Sequence, residues 1–226
     1  MNTIYTSPFF GLSLTLIAYS IGKYVSKRVK ISIANEMLVA SLFIISILLL
    51  FKIPFDSYMK GAYGLQFMIV PATIALSYGV YIEISYVKKY FIPILVGSIV
   101  GSAVSIGSVL LLSRLFDLPQ VLEASLIPKS VTTAIAIELS ELLQGTPSIT
   151  IMAVLFTGFT GIVVGPIIVR LTRIKDPVII GLSFGISSHA IGTAKAFEYG
   201  EVEGAMSGIA IFFTGIMSVI ISLIIF

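Results

Sequence analysis

Ser187-Ser188-His189-Ala190-Ile191-Gly192-Thr193-Ala194-Lys195 interrupts a chain otherwise built for a membrane. With Pro128-Lys129-Ser130-Val131-Thr132-Thr133-Ala134, it decides how the fold is read. Both stretches are polar and rich in breakers, and the first holds the single histidine of the sequence. Around them, 57% of the 226 residues are hydrophobic, only 11% are charged, and the mean hydropathy is +1.08. A soluble domain carries roughly 25% charged residues, so this composition reads as an integral membrane protein with no soluble domain. Polar and ionisable groups at membrane depth are costly, which makes these two stretches the place to look for function.

The composition also excludes chemistry. The absence of cysteine rules out disulfides, cysteine metal sites and thiol catalysis. One histidine and 11 scattered acids argue against a metal enzyme. No paired carboxylates, Ser-His-Asp order or phosphate-cradling glycine loop is visible, so the expectation is a non-enzyme that needs no metal or cofactor. The net charge of +3 sits in short loops, which fits membrane topology better than nucleic-acid binding. The apolar start lacks a basic leader, its positive charges following the first apolar run, and residues 4–22 are read as a mature helix.

A spanning helix needs about 20 mostly apolar residues. Residues 4–22, 34–51, 91–113, 149–171 and 204–226 qualify, whereas 62–87, 121–143 and 178–198 are apolar but interrupted. Such interrupted segments resemble the broken helices or re-entrant hairpins that line a transport site. The two most basic loops, 23–30 and 170–176, both belong in the cytoplasm by the positive-inside rule. Five apolar elements separate them, an odd number, so one of the five has to be re-entrant. Residues 62–87 are long enough for that, although this choice leaves Lys88 and Lys89 outside.

The expectation is an all-α polytopic membrane protein: about six spanning helices plus two interrupted or re-entrant segments, 62–87 and 178–198. Residues 1–226 form a single membrane domain, with an inverted-topology repeat of halves 1–113 and 114–226. The last helices of the halves, 91–113 and 204–226, are its counterparts. The alternative is seven or eight ordinary spans with one violation of the charge rule.

Read as a helix, 128–143 starts with Pro128 at a favourable first-turn position and places Lys129, Thr132, Thr133, Ala136 and Ser140 on one face. Its amino-terminal end, Lys129, Ser130 and the threonines suit an anion; the alternative is a juxtamembrane lysine with threonines bonded back to their own helix. In the second stretch, Ser187, Ser188, Gly192 and Thr193 are candidate substrate contacts. His189 is the candidate proton carrier, against the alternative of a satisfied core histidine. Lys195 and Glu198 are either secondary site residues or an i, i+3 pair at a membrane boundary. Pro71, Thr73 and Ser77 are either the tip of the first re-entrant segment or a kink. Gly161-x-x-x-Gly165 has the small-residue spacing of helix packing.

Pro128-Lys-Ser-Val-Thr-Thr-Ala-Ile-Ala, Ser187-Ser-His-Ala-Ile-Gly-Thr-Ala-Lys-Ala, Glu203-Gly-Ala-Met-Ser-Gly and Pro71-Ala-Thr-Ile-Ala-Leu together resemble the LrgB/CidB family of bacterial membrane proteins. The resemblance covers essentially the whole chain. Ala134 departs from it, standing where a second proline is expected after Thr-Thr. The resemblance implies a bacterial inner-membrane location and a small LrgA/CidA-like membrane partner. It also implies one of two activities: antiholin-like control of murein hydrolase export and lysis, or transport of small carboxylates such as pyruvate, glycolate or glycerate. The broken polar segments favour proton-linked transport of a small carboxylate by alternating access in the lipid bilayer; a homodimer is compatible with that scheme.

Overall fold

The computed structural model describes residues 7–29, 36–68, 71, 74, 78, 81 and 84–226. All regular structure among them is helical, and the chain is an all-α polytopic membrane protein. It divides into two compact units, Met1–Leu76 and Ser77–Phe226.

The first unit contains α1 (Pro8–Val29), α2 (Glu36–Leu50) and α3 (Phe55–Phe67). Helix α1 runs beyond the expected 4–22 to include Lys23, Lys27 and Arg28, the last two lying in its final turn, where positive charge is favourable. Helix α3 starts ahead of the interrupted segment expected at 62–87 and includes its first residues, and Asp56 lies in its first turn. It packs on α1, where Gly11 faces the Tyr58 carbonyl and Thr15 Oγ1 meets the Tyr58 hydroxyl at 2.8 Å. Pro71 belongs to this unit and is exposed, whereas Thr73 and Ser77 lie outside the described residues.

The second unit holds α4 (Ile84–Lys89), α5 (Phe91–Leu115), α6 (Gln120–Leu126), a 3-10 turn (Ile127–Ser130), α7 (Thr133–Leu142), α8 (Pro147–Thr172), α9 (Pro177–Phe197) and α10 (Glu201–Ile225). Five helices among the described residues are long and apolar enough to cross a membrane: α1, α5, α8, α9 and α10. In four of them only 22–33% of the apolar window is buried, so their outer faces are free for lipid. Helix α9 is 61% buried and is not a straight rod.

The chain reverses at His189, where φ is 42° and ψ is −140°. A Cβ on Gly192 would lie 2.6 Å from the Phe184 carbonyl oxygen, an approach that a straight helix never makes across eight residues. The arms follow α10 in opposite senses: Gly181 faces Glu203 and Gly185 faces Ser207, then Thr193 returns to Ser207 and Phe197 to Gly204. Residues 177–197 are therefore a re-entrant hairpin (hairpin 2), the form expected of 178–198. Its first arm is launched by Asp176, whose Oδ1 accepts from Val178 N at 2.8 Å and Ile179 N at 3.3 Å, ahead of Pro177 at the first helical position.

A second hairpin lies where a split half-helix was expected. The 3-10 turn after α6 ends at Ser130, Val131 and Thr132 are extended, and α7 turns back. The arms close at their base, where Ser125 Oγ accepts from Thr146 N at 2.7 Å, Thr150 Oγ1 donates to Ser125 O at 2.9 Å, and the Thr150 and Ser140 hydroxyls lie 2.7 Å apart. Residues 120–142 thus form hairpin 1. A re-entrant element among the five segments is therefore this one, whereas much of 62–87, the segment expected to be re-entrant, lies outside the described residues.

Helices α5 and α10 run parallel where they touch, with Ser98 beside Thr214 and Ser102 beside Ser218. Inverted counterparts run antiparallel, so 91–113 and 204–226 are not such a pair. Hairpin 1 instead enters from the end where α5 finishes, and hairpin 2 from the end where α5 begins. This placement also gathers Lys88, Lys89, Arg170, Arg173, Lys175 and Lys195 at one end of the unit, with Arg114 alone at the other. Lys88 and Lys89 therefore share an end with the 170–176 loop, contrary to the expectation that they lie opposite it.

Candidate functional site at the hairpin tips

The tips of the two hairpins meet near the middle of the three long helices. Hairpin 1 reaches Ser105 of α5, and its Ile135 reaches Gly215 of α10. Val131 and Ala136 pack on Val154 of α8, and His189 at the tip of hairpin 2 bonds to the carbonyl of the same residue. Hairpin 2 also touches the 3-10 turn of hairpin 1 directly. The two polar stretches, far apart in sequence, are two tips approaching from opposite ends.

The tip of hairpin 1 carries the charge. Lys129 Nζ donates to Ser105 O at 3.2 Å and to Ser105 Oγ at 2.8 Å, and Ser105 Oγ lies 2.7 Å from Ser130 Oγ. Thr132 is the N-cap of α7, but its side chain does not cap the helix. The first turn, with Thr133 and Ala134 exposed, therefore presents backbone N–H groups and the positive end of the helix. The expected single face of Lys129, Thr132, Thr133, Ala136 and Ser140 does not form, because the extended residues interrupt the helix. Lys129 turns to α5, while Ser140 turns to Thr150 at the base. Pro128 sits within the 3-10 turn, with φ −82° and ψ 16°, rather than at the first turn of α7.

The tip of hairpin 2 is packed. His189 is 2% exposed, and Val154 O, which can only accept, lies 2.9 Å from its Nε2. The neutral ring accordingly carries its proton on Nε2. Its positive φ is strained for a residue with a side chain, an observation of the kind that clusters at functional sites. Ser188 is buried against Gly161, where any side chain would collide with its hydroxyl, and Gly158 and Gly165 receive Ile191 and Phe184 in the same way. The Gly161-x-x-x-Gly165 spacing thus serves packing. Ser187 is exposed; its hydroxyl donates to Ser183 O at 2.7 Å and lies 3.0 Å from Ser188 Oγ.

Other expected site residues lie elsewhere. Thr193 donates to His189 O at 3.1 Å and pairs with Ser207 Oγ at 2.8 Å, fastening the returning arm to α10. Gly192 closes the two arms upon each other. Lys195 and Glu198 form an ion pair at 2.5 Å near the end of that arm, away from the tip. At this end burial raises the Tyr199 phenol above its usual range, with Glu198 adding to the effect and Arg170 opposing it. Pro71 belongs to the first unit and is not among the residues gathered at the tips.

Sequence reading missed Ser105, the residue that holds Lys129. Its signal was the recurrence Ser98, Ser102, Ser105 on one helical face of α5. Partners on α10 complete a hydroxyl seam: Thr214 Oγ1 donates to Ser98 Oγ at 3.4 Å and Ser218 Oγ to Ser102 Oγ at 3.0 Å.

Comparison with known proteins agrees with the motifs. The profile of the LrgB-like family matches residues 15–226. The chain is 35% identical over 208 residues to the uncharacterized protein YwbG of Bacillus subtilis (strain 168), covering 92% of each chain. It is 34% identical over 216 residues to the antiholin-like protein LrgB of Bacillus mycoides (strain KBAB4), covering 95% of this chain and 94% of the other. The antiholin-like protein LrgB of Bacillus cereus (strain B4264) is similar to the same degree. No solved structure matches. With its spans, both tip motifs and nearly its full length accounted for, the chain belongs to the LrgB-like family.

Proposed function

We propose that this protein is antiholin-like, as its Bacillus relatives are named, and that it acts by passing small solutes between its hairpin tips rather than by opening a large lesion. Similarity over 95% of the chain supports the first part. One observation carries the second: two hairpins enter from opposite ends, and their tips meet inside the helix bundle on Val154, in the first third of α8 and two turns from its start. Broken helices that meet at mid-depth suit alternating access, because either tip can withdraw without opening a continuous pore.

The finer reading is proton-linked transport of a small monocarboxylate such as pyruvate, glycolate or glycerate. Thr132, Thr133 and the exposed start of α7 suit a carboxylate. His189 is the candidate coupling group, its Nε2 engaged by Val154 and its Nδ1 the remaining proton site. The end rich in lysine and arginine faces the cytoplasm of a bacterial cell by the positive-inside rule. A small LrgA/CidA-like protein is the proposed membrane partner.

Proteoliposomes containing the protein, with and without that partner, test the reading. Uptake of labelled pyruvate above empty vesicles, with entrapped carboxyfluorescein retained, is the expected result. Dye release at a rate matching pyruvate entry points to a lesion-forming, holin-like activity, and no uptake in either preparation sinks the transport reading.

A further inference from the structure

The sole ion pair among the described residues is Lys195–Glu198, so the half-buried ammonium of Lys129 has no carboxylate partner. Two of its three donors are committed to Ser105. A cation at membrane depth without a counter-charge is costly and is kept where it meets a charged solute.

The two hairpins share a frame that isolates this charge. Pro119 and Pro177 open them, 58 positions apart, and the same offset in sequence matches Ser125 with Ser183, Ser130 with Ser188 and Ala136 with Ala194. Each hairpin is followed by a long helix, α8 or α10, and the two hairpin–helix pairs run in opposite senses. In this frame Lys129 corresponds to Ser187, which is exposed at the tip of hairpin 2. One tip therefore carries a fixed cation and the other a neutral hydroxyl.

We infer that Lys129 is the charge-selecting group of the path between the tips, admitting solutes that carry a carboxylate over neutral solutes of the same shape. Ser105 is its positioning residue. The inference rests on the reading that small solutes pass between the tips. It adds which side chain reads their charge, and that its place can be exchanged with position 187.

The test compares proteoliposome uptake of glycolate with that of glycolamide, its uncharged analogue. Wild-type protein favours glycolate. Lys129→Ser and Lys129→Gln lower the glycolate-to-glycolamide ratio by about tenfold to a hundredfold, the range expected for losing a charged hydrogen bond. An unchanged melting temperature and elution volume of both Lys129 variants separate lost selection from a misfolded protein. The exchange variant Lys129→Ser/Ser187→Lys recovers most of the ratio, and Ser105→Ala lowers it less than Lys129→Ser does. A wild-type ratio in both Lys129 variants, or no recovery on exchange, overturns the inference while leaving transport intact. Wild-type uptake of neither solute overturns the transport reading, and the inference with it.

Discussion

Hairpin 1 and hairpin 2 have the same plan and opposite emphases. Hairpin 1 is fastened at its base by Ser125, Ser140, Thr146 and Thr150, and its tip is open, with two extended residues, a lysine without a carboxylate partner among the described residues and exposed Thr133. Hairpin 2 is fastened at its tip, by His189 to Val154 and by Ser188 against Gly161, and reverses at a single strained residue. The difference shows what each needs from its neighbours. An open tip can present charge and backbone donors to a solute, but it must be anchored away from that solute. A closed tip has little room for polar groups without partners, so His189 Nε2 and the Ser188 hydroxyl find partners in Val154 O and Ser187 Oγ.

The largest effect expected from breaking this contrast is at the seat of hairpin 2. Gly161→Val places methyl groups where Ser188 lies, with the hairpin arms unable to move aside, and over-packing of this kind costs at least about 1–3 kcal/mol. Purified protein should lose several degrees of melting temperature or fail to elute as a single species. Gly107→Ala, which adds a methyl into open space, should hold or slightly raise the melting temperature. Equal behaviour of the two variants would refute the packed-tip account.

Next in size is the base of hairpin 1. Thr150→Val keeps the shape but removes the hydroxyl that Ser125 O and Ser140 Oγ share inside a buried contact, for about 1–3 kcal/mol. The loss should appear as faster amide exchange in residues 120–146, with residues 177–197 little changed. Exchange that rises equally in both hairpins would mean that they are not separately anchored.

The smallest effect separates His189 as strained backbone from His189 as side chain. Both His189→Ala and His189→Gly delete the bond to Val154, but only glycine accepts φ 42° freely. His189→Gly should be the more stable of the two by about 1 kcal/mol in a thermal melt. Identical melts would show that the hairpin relaxes at this position.

Much of the plan was legible in the chain. Spans 91–113, 149–171 and 204–226 correspond closely to α5, α8 and α10 because 20-odd apolar residues have few alternatives. The two polar stretches mark both tips because buried polar groups and breakers are rare without a cause. Gly158, Gly161 and Gly165 announced a close neighbour through their spacing, though not which neighbour. The re-entrant pair was only half legible: charge parity demanded one among five segments, and both 62–87 and 121–143 satisfied it.

What the sequence determined by itself is the class of protein, the position of the breaks and the number of polar groups that need partners. Those are properties of local composition. Tertiary structure alone decided that residues 120–142 turn back instead of crossing, that α5 lies parallel to α10, and that Lys129 meets Ser105 rather than Ser140. A half-helix and a full span share the same 3.6-residue period, so periodicity cannot tell return from passage. The distinction lies in contacts between distant residues, such as Ser125 with Thr150 or Gly161 with Ser188, which only the packed chain brings together.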